Sequence, residues 1–230
     1  MPAPTPSHSR RTVARLLAVA TIGVIVGLAV RGCADPTPTH VVSVRPAAGH
    51  TERTGPTGTR AGVPVGFART TNGATAAAVA YVLTGQRLVN LSPFDAADAV
   101  RVMAAQAASQ RQVDDVTGRL SALRDALARG SGPIQYWQSV LATRVDASSA
   151  TRVRVLVWSV GVLARSGVAA PQAGWTTSVF ELVWEHADWK IWSETTTSGP
   201  TPILNDGAPP ATDREFSAAL TGFTPWQAAA

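Results

Sequence analysis

Of the 230 residues only one is cysteine, one is lysine and two are tyrosine. The single cysteine, Cys33, leaves no intrachain disulfide, so any folded part is held by its core alone. His186 is the one histidine beyond residue 50, which excludes a His/Cys metal cluster in the bulk of the chain. No carboxylate set with calcium-loop spacing is present, nor a glycine-rich phosphate loop, a serine elbow or a His-Glu-x-x-His helix. No internal repeat is evident. On these grounds no cofactor and no metal are expected.

The formal charge is +5, but it is unevenly placed. Residues 1–61 carry seven arginines against Asp35 and Glu52, whereas residues 62–230 carry thirteen basic and thirteen acidic side chains. A nucleic-acid-binding domain concentrates positive charge within its fold. The excess lies outside the region that can fold, so no direct nucleic-acid partner is expected.

One long apolar run dominates the first part. Leu16, Leu17, Ile22, Val24, Ile25, Val26, Leu28 and Val30 lie between Arg10, Arg11 and Arg15 on one side and Arg31 on the other. Counted from Val13, with Arg15 snorkelling, the eighteen residues reach about 27 Å, just enough for a hydrocarbon core of about 30 Å. More arginines before the segment than after it put the N-terminus in the cytoplasm. The expectation is a single-pass cell-membrane protein with a cytoplasmic tail (1–12), an anchor (13–31) and an extracytoplasmic remainder. The alternatives are a cleaved signal, for which Ala29-Val30-Arg31-Gly32 offers a poor site, and lipidation at Cys33, where Arg31 occupies a position that prefers a small residue.

Residues 32–61 are rich in proline, threonine and glycine without an apolar period and read as a disordered linker. A helix is expected after Thr71-Asn72, where Ala74, Ala77, Ala78, Tyr81 and Val82 recur at helical spacing. A second begins at Ser92-Pro93 with Asp95 reaching back and runs to about Ala108; a third, with Val113, Val116, Leu120, Leu123 and Leu127, spans about 110–129. The period then changes to two, predicting strands over 134–145, 151–164, 175–185 and 189–195, with a loop around Pro171. The tryptophans in and beside these strands are expected mainly in the core against the helices. Residues 198–230 form a proline-rich tail with a short helix opened by a capping box from Thr212 to Glu215. Its Phe216, Leu220, Phe223 and Trp226 are candidates for contact with a partner, or for docking on their own domain.

Three helices followed by four strands, closed by Leu182-Val183-Trp184-Glu185-His186-Ala187-Asp188-Trp189-Lys190-Ile191-Trp192, resemble the NTF2-like cone. The lead-in Gly62-Val63-Pro64-Val65-Gly66-Phe67, followed by Thr71-Asn72-Gly73-Ala74, resembles actinobacterial membrane-anchored proteins of integrative conjugative elements. Those are similar in layout to the VirB8 and TcpC components of conjugative type IV secretion machines. TcpC has two outer domains in tandem; this chain has room for one.

The resemblance implies an α+β fold: an N-terminal transmembrane helix plus an NTF2-like domain at 62–197, with three helices on a curved four-stranded antiparallel sheet. Enzymes of that family place an acid or base in the cone. The candidates would be Tyr81, Asp98, Tyr136, Asp146 and His186, which form no recognisable constellation, so no catalytic residue is assigned. The resulting expectation is a non-enzymatic assembly component of a transfer apparatus, with other envelope proteins or copies of itself as partners. Alternatives are a small-molecule-binding or catalytic domain of the same fold, and an accessory protein of another envelope system such as Mce-associated lipid import. If residues 13–31 are a retained anchor, the full-length chain stays in the membrane pellet after alkaline carbonate extraction, and the mass of its N-terminal peptide shows no cleavage before Cys33.

Overall fold

The computed structural model describes residues 54–202 and 212–226. The expected anchor at 13–31 and most of the linker lie outside the described residues. Among the described residues no helix is long and apolar enough to cross a membrane.

A two-stranded hairpin, β1 (Gly58–Arg60) and β2 (Val63–Val65), leads in. Helix α1 (Thr71–Leu88) is capped by Thr70, whose hydroxyl accepts the Gly73 N–H. Gly73 is required here, because the Ala68 carbonyl occupies the place a Cβ would take. Ala74, Ala77 and Ala78 are fully buried, and this small-residue stripe lets α1 lie close across the sheet. Helix α2 (Pro93–Met103) starts at the Ser92 cap with proline in its first turn. Helix α3 (Ser109–Ala126) buries Val113, Leu120 and Leu123. It also sends Arg124 to the carbonyls of Leu88, Val89 and Leu91, which satisfies acceptors at the end of α1.

Strands β3 (Ser131–Ser148), β4 (Arg152–Ser166), β5 (Ala169–Glu185) and β6 (Asp188–Ser198) run antiparallel. After β6 come α4 (Asp213–Ala219) and a two-residue strand, β7 (Thr224–Pro225), and the sheet order is β6-β5-β4-β3-β7. One face carries Val153, Val155, Val157, Phe180, Leu182, Trp189 and Ile191 into the core beneath the helices.

The fold class expected from the sequence is corrected by this arrangement. The described residues form four helices and a five-stranded sheet beside a separate hairpin, not three helices on a four-stranded cone. The fifth strand is too short to carry a period-two pattern, and it is placed by pairing Thr224 with Thr143 and Pro225 with Ala142, far upstream. The hairpin β1–β2 begins inside the stretch read as linker, since its turn is made by Ala61 and Gly62 at positive φ and not by an apolar run. Helix α2 stops at Met103, earlier than expected, because Ala104 turns extended and Ala105 donates its N–H to the Ile191 carbonyl at 2.8 Å. Strand β5 continues through Pro171, where a loop is expected. The β4–β5 ladder shifts register between Leu163/Gln172 and Arg165/Ala169, so Pro171 falls at a bulge, where its missing N–H breaks no ladder pair.

The sheet edges are closed by the chain itself. On β3 the Asn90 side chain exchanges two hydrogen bonds with Ile134, Gln86 accepts from the Gln138 N–H, and Trp226 donates to the Leu141 carbonyl. On β6 the Ile191 carbonyl accepts from both Ala105 and Gln112. Such blocking by side chains and short segments suppresses edge-to-edge pairing.

The tightest junction lies at the start of β6. Asp188 and Lys190, each with a side chain 6% exposed, pair at 2.9 Å. Oδ1 of Asp188 accepts the N–H groups of Phe67 and Trp189, and the Lys190 ammonium also donates to the Val102 carbonyl at the end of α2. Between them Trp189 donates its indole N–H to the Ala68 carbonyl and accepts the Tyr81 hydroxyl on its own carbonyl. The preceding two-residue turn, His186 and Ala187, holds both residues at positive φ without a glycine. Removing one member of a buried pair leaves the other uncompensated, so Asp188→Ala lowers unfolding free energy by about 3–5 kcal/mol. Ala187→Gly relieves the left-handed strain and raises it by about 1 kcal/mol. Urea unfolding midpoints of the two variants therefore move in opposite directions.

Candidate functional site

Beside this junction opens a cleft of about 760 Å³. Its lining comes from β1–β2 (Arg60, Val65, Gly66), the end of α2 and the turn after it (Arg101, Ala104, Gln106), the start of α3 (Ser109), and the β5–β6 corner (His186, Ala187, Asp188, Lys190). The nearby acids are engaged. Asp188 is saturated by Lys190 and two backbone N–H groups, Glu185 accepts the Gln106 N–H at 2.9 Å, and Asp98 pairs with Arg101 at 2.6 Å. The Arg60 side chain, on the hairpin strand paired with Val63, has no hydrogen bond or ion pair among the described residues.

A second polar region lies on the helix-facing side of the sheet. Gln138 donates to the Ser159 hydroxyl at 3.2 Å, which pairs with Thr176 at 3.3 Å; further along, Ser178 meets Thr196 at 2.7 Å, and Thr196 donates to Glu194. Burial pushes the Glu194 carboxyl above its ordinary range, opposed by the Arg119 cation and the Thr196 hydroxyl. Arg119 Nε is itself buried without a hydrogen-bond partner. These hydroxyls pair with one another across strands, as threonine and serine do on a buried sheet face.

The outer face of the sheet holds the tail. Both halves of the Thr212–Glu215 capping box are formed, and the two hydrogen bonds from Thr212 lower the Glu215 pKa. Phe216 meets Trp158 edge-on at 5.5 Å, and Arg144 stacks over Phe223 at 5.0 Å. Phe216, Leu220, Phe223 and Trp226 are thus half-buried against their own sheet. Trp158 also donates its indole N–H to the Pro200 carbonyl at 3.2 Å. Beyond the tail, Trp137 is 58% exposed, directly opposite Val162 on β4.

The tryptophans therefore divide between faces. Trp184 and Trp189 stack edge-on in the helix-facing core, whereas Trp137, Trp158 and Trp192 sit on the other side. Strand alternation makes this division, since Trp137 and Trp158 stand opposite Val162 and Thr177 in register.

The five acid–base candidates are dispersed. Tyr81 is a core residue whose pKa burial and Asp188 both push up. Tyr136 packs against Gly161, and burial raises it to about 12. Asp146 pairs with Arg144 at 2.6 Å at the opposite end of β3. Asp98 reaches the cleft only through Arg101, and His186 is an exposed turn residue at its rim. Among the described residues no group of three His, Cys, Asp or Glu side chains is placed to hold a metal. Sequence reading missed Arg60, Arg101 and the buried Asp188–Lys190 pair. The one available signal was the chain's lone lysine, set between Trp189 and Ile191 two residues after an aspartate.

No family model matches the chain, and no curated protein matches it. Among solved structures it is similar to the intermembrane space region of the chloroplast protein ARC6, at 17% identity over 52% of this chain and 93% of that one, with a TM-score of 0.33. A likeness at that score carries no argument about fold or function.

Both tyrosines bind their protons more tightly folded than unfolded. The stability this supplies is present below the unfolded value near 10 and falls as pH rises through the folded value, about 12 for Tyr136. Ultraviolet titration of the native protein should show almost no tyrosinate at pH 10.5, while the urea-unfolded chain ionises near pH 10.

Proposed function

We propose that this chain is a non-enzymatic, membrane-anchored assembly component of an envelope machine of the conjugative-transfer type, whose folded domain docks protein partners on the outer face of its sheet. The observation that carries this reading is the two-faced sheet. One face is filled by helices, the other is half covered by the chain's own tail, and Trp137 remains exposed beside it. A large aromatic on a rigid strand with apolar neighbours has the character of an interface anchor. The dispersal of the acid–base candidates supports a binding role over a catalytic one. The apolar segment at 13–31, the spacer after it and the resemblance of residues 62–74 to conjugative-element proteins supply the setting.

Full-length protein solubilised in mild detergent from its native membrane is expected to co-purify with transfer-apparatus or other envelope subunits, or as a homo-oligomer. Trp137→Glu should reduce that recovery about tenfold or more while leaving the thermal midpoint nearly unchanged. A monomer without partners, or full recovery by the variant, counts against the reading.

A further inference from the structure

In the cleft at the β5–β6 corner Arg101 is paired with Asp98 and Lys190 with Asp188, which leaves the Arg60 side chain as the lining cation with no partner among the described residues. Arg60 comes from β1, Arg101 from α2, and His186 and Lys190 from the β5–β6 corner, three separate segments brought together by the fold. Each carboxylate close by already has partners: Asp188 holds Lys190 and the N–H groups of Phe67 and Trp189, Glu185 holds Gln106, and Asp98 holds Arg101. Arg60 is left without an internal acceptor among the described residues. The Lys190 ammonium has three donors and uses two inside the protein, on Val102 and Asp188.

The shape of the cleft agrees with the charge. The volume of about 760 Å³ lies within the range of about 300–1,000 Å³ typical of small-molecule sites. Val65, Ala104 and Ala187 supply apolar surface, and Gln106 and Ser109 supply polar groups. His186 and Ala187 are both held in the left-handed region, as the two-residue hairpin turn between Glu185 and Asp188 requires, and this fixes the shape of the cleft's rim.

We infer that this cleft binds a small organic anion, a carboxylate- or phosphate-bearing molecule whose charged end meets Arg60 and Arg101 and whose body rests on Val65 and Ala104. The site does not depend on the assembly role proposed above. Arginine suits it because a planar guanidinium engages a carboxylate or phosphate with two parallel hydrogen bonds.

The test is calorimetric titration of the detergent-solubilised full-length protein, in near-physiological salt, with inorganic phosphate, glycerol 3-phosphate, citrate, benzoate and a hexaglutamate peptide. Saturable binding of at least one organic anion, tighter than inorganic phosphate, is expected; whether the phosphate ester or the carboxylates bind better identifies the source of the charge. Arg60→Gln and Arg101→Gln should each weaken that binding by about tenfold or more, with Arg129→Gln as an exposed-arginine control that leaves it unchanged. Thermal midpoints of the variants confirm that the fold is retained. The proposal is overturned by absence of saturation up to about 10 mM for every small anion, by binding that survives both cleft substitutions, or by hexaglutamate outcompeting all of them, which would assign the cleft to an acidic protein segment.

Discussion

The three residues Asp188, Trp189 and Lys190 hold together parts of the chain that would otherwise have no reason to meet. Two of them form an ion pair removed from water, which is favourable only when the remaining hydrogen-bonding capacity is met. It is met by the lead-in at Phe67, by the end of α2 at Val102 and by the backbone of β6 itself. Trp189 adds its indole N–H to Ala68 and receives the Tyr81 hydroxyl. Lead-in, α1, α2 and the edge strand are thus tied at one corner of the sheet. The cleft opens at that same corner because four segments converge there without filling the space between their ends.

The sheet depends on a second constraint. Strands β3 to β5 carry large apolar side chains on both faces, and the helices cover only one. Residues 199–202 and 212–226 supply part of the missing cover: Pro200 receives the Trp158 indole, Phe216 packs on its ring, and Trp226 closes the backbone of β3 at Leu141. The tail therefore belongs to the folded unit, and its aromatic residues have a structural partner within the chain. What it leaves open is the Trp137 side chain, 58% exposed.

Polar groups buried inside the domain are satisfied mostly by one another. The serine and threonine hydroxyls of β4, β5 and β6 pair across strands, and Arg124 serves three carbonyls at the end of α1. The two tyrosines are shifted further from neutrality by burial.

Local information determined much of the secondary structure. The Ser92-Pro93 and Thr212–Glu215 caps, the alanine stripe of α1 and the period-two runs each act within a few residues, so they are readable from composition and spacing. Pairing over long separations is not. The two-residue β7, the strand at Gly58–Arg60, the early end of α2 and the passage of β5 through Pro171 were decided by which backbone groups found partners across the fold. The division of the tryptophans followed from sheet register, and the union of Arg60, Arg101, His186 and Lys190 from the folding together of segments up to about 130 residues apart. The sequence by itself determined where the chain turns helical or extended and how its charge is distributed; only tertiary structure decided which ends meet, because a hydrogen bond or ion pair between distant segments leaves no periodicity in either.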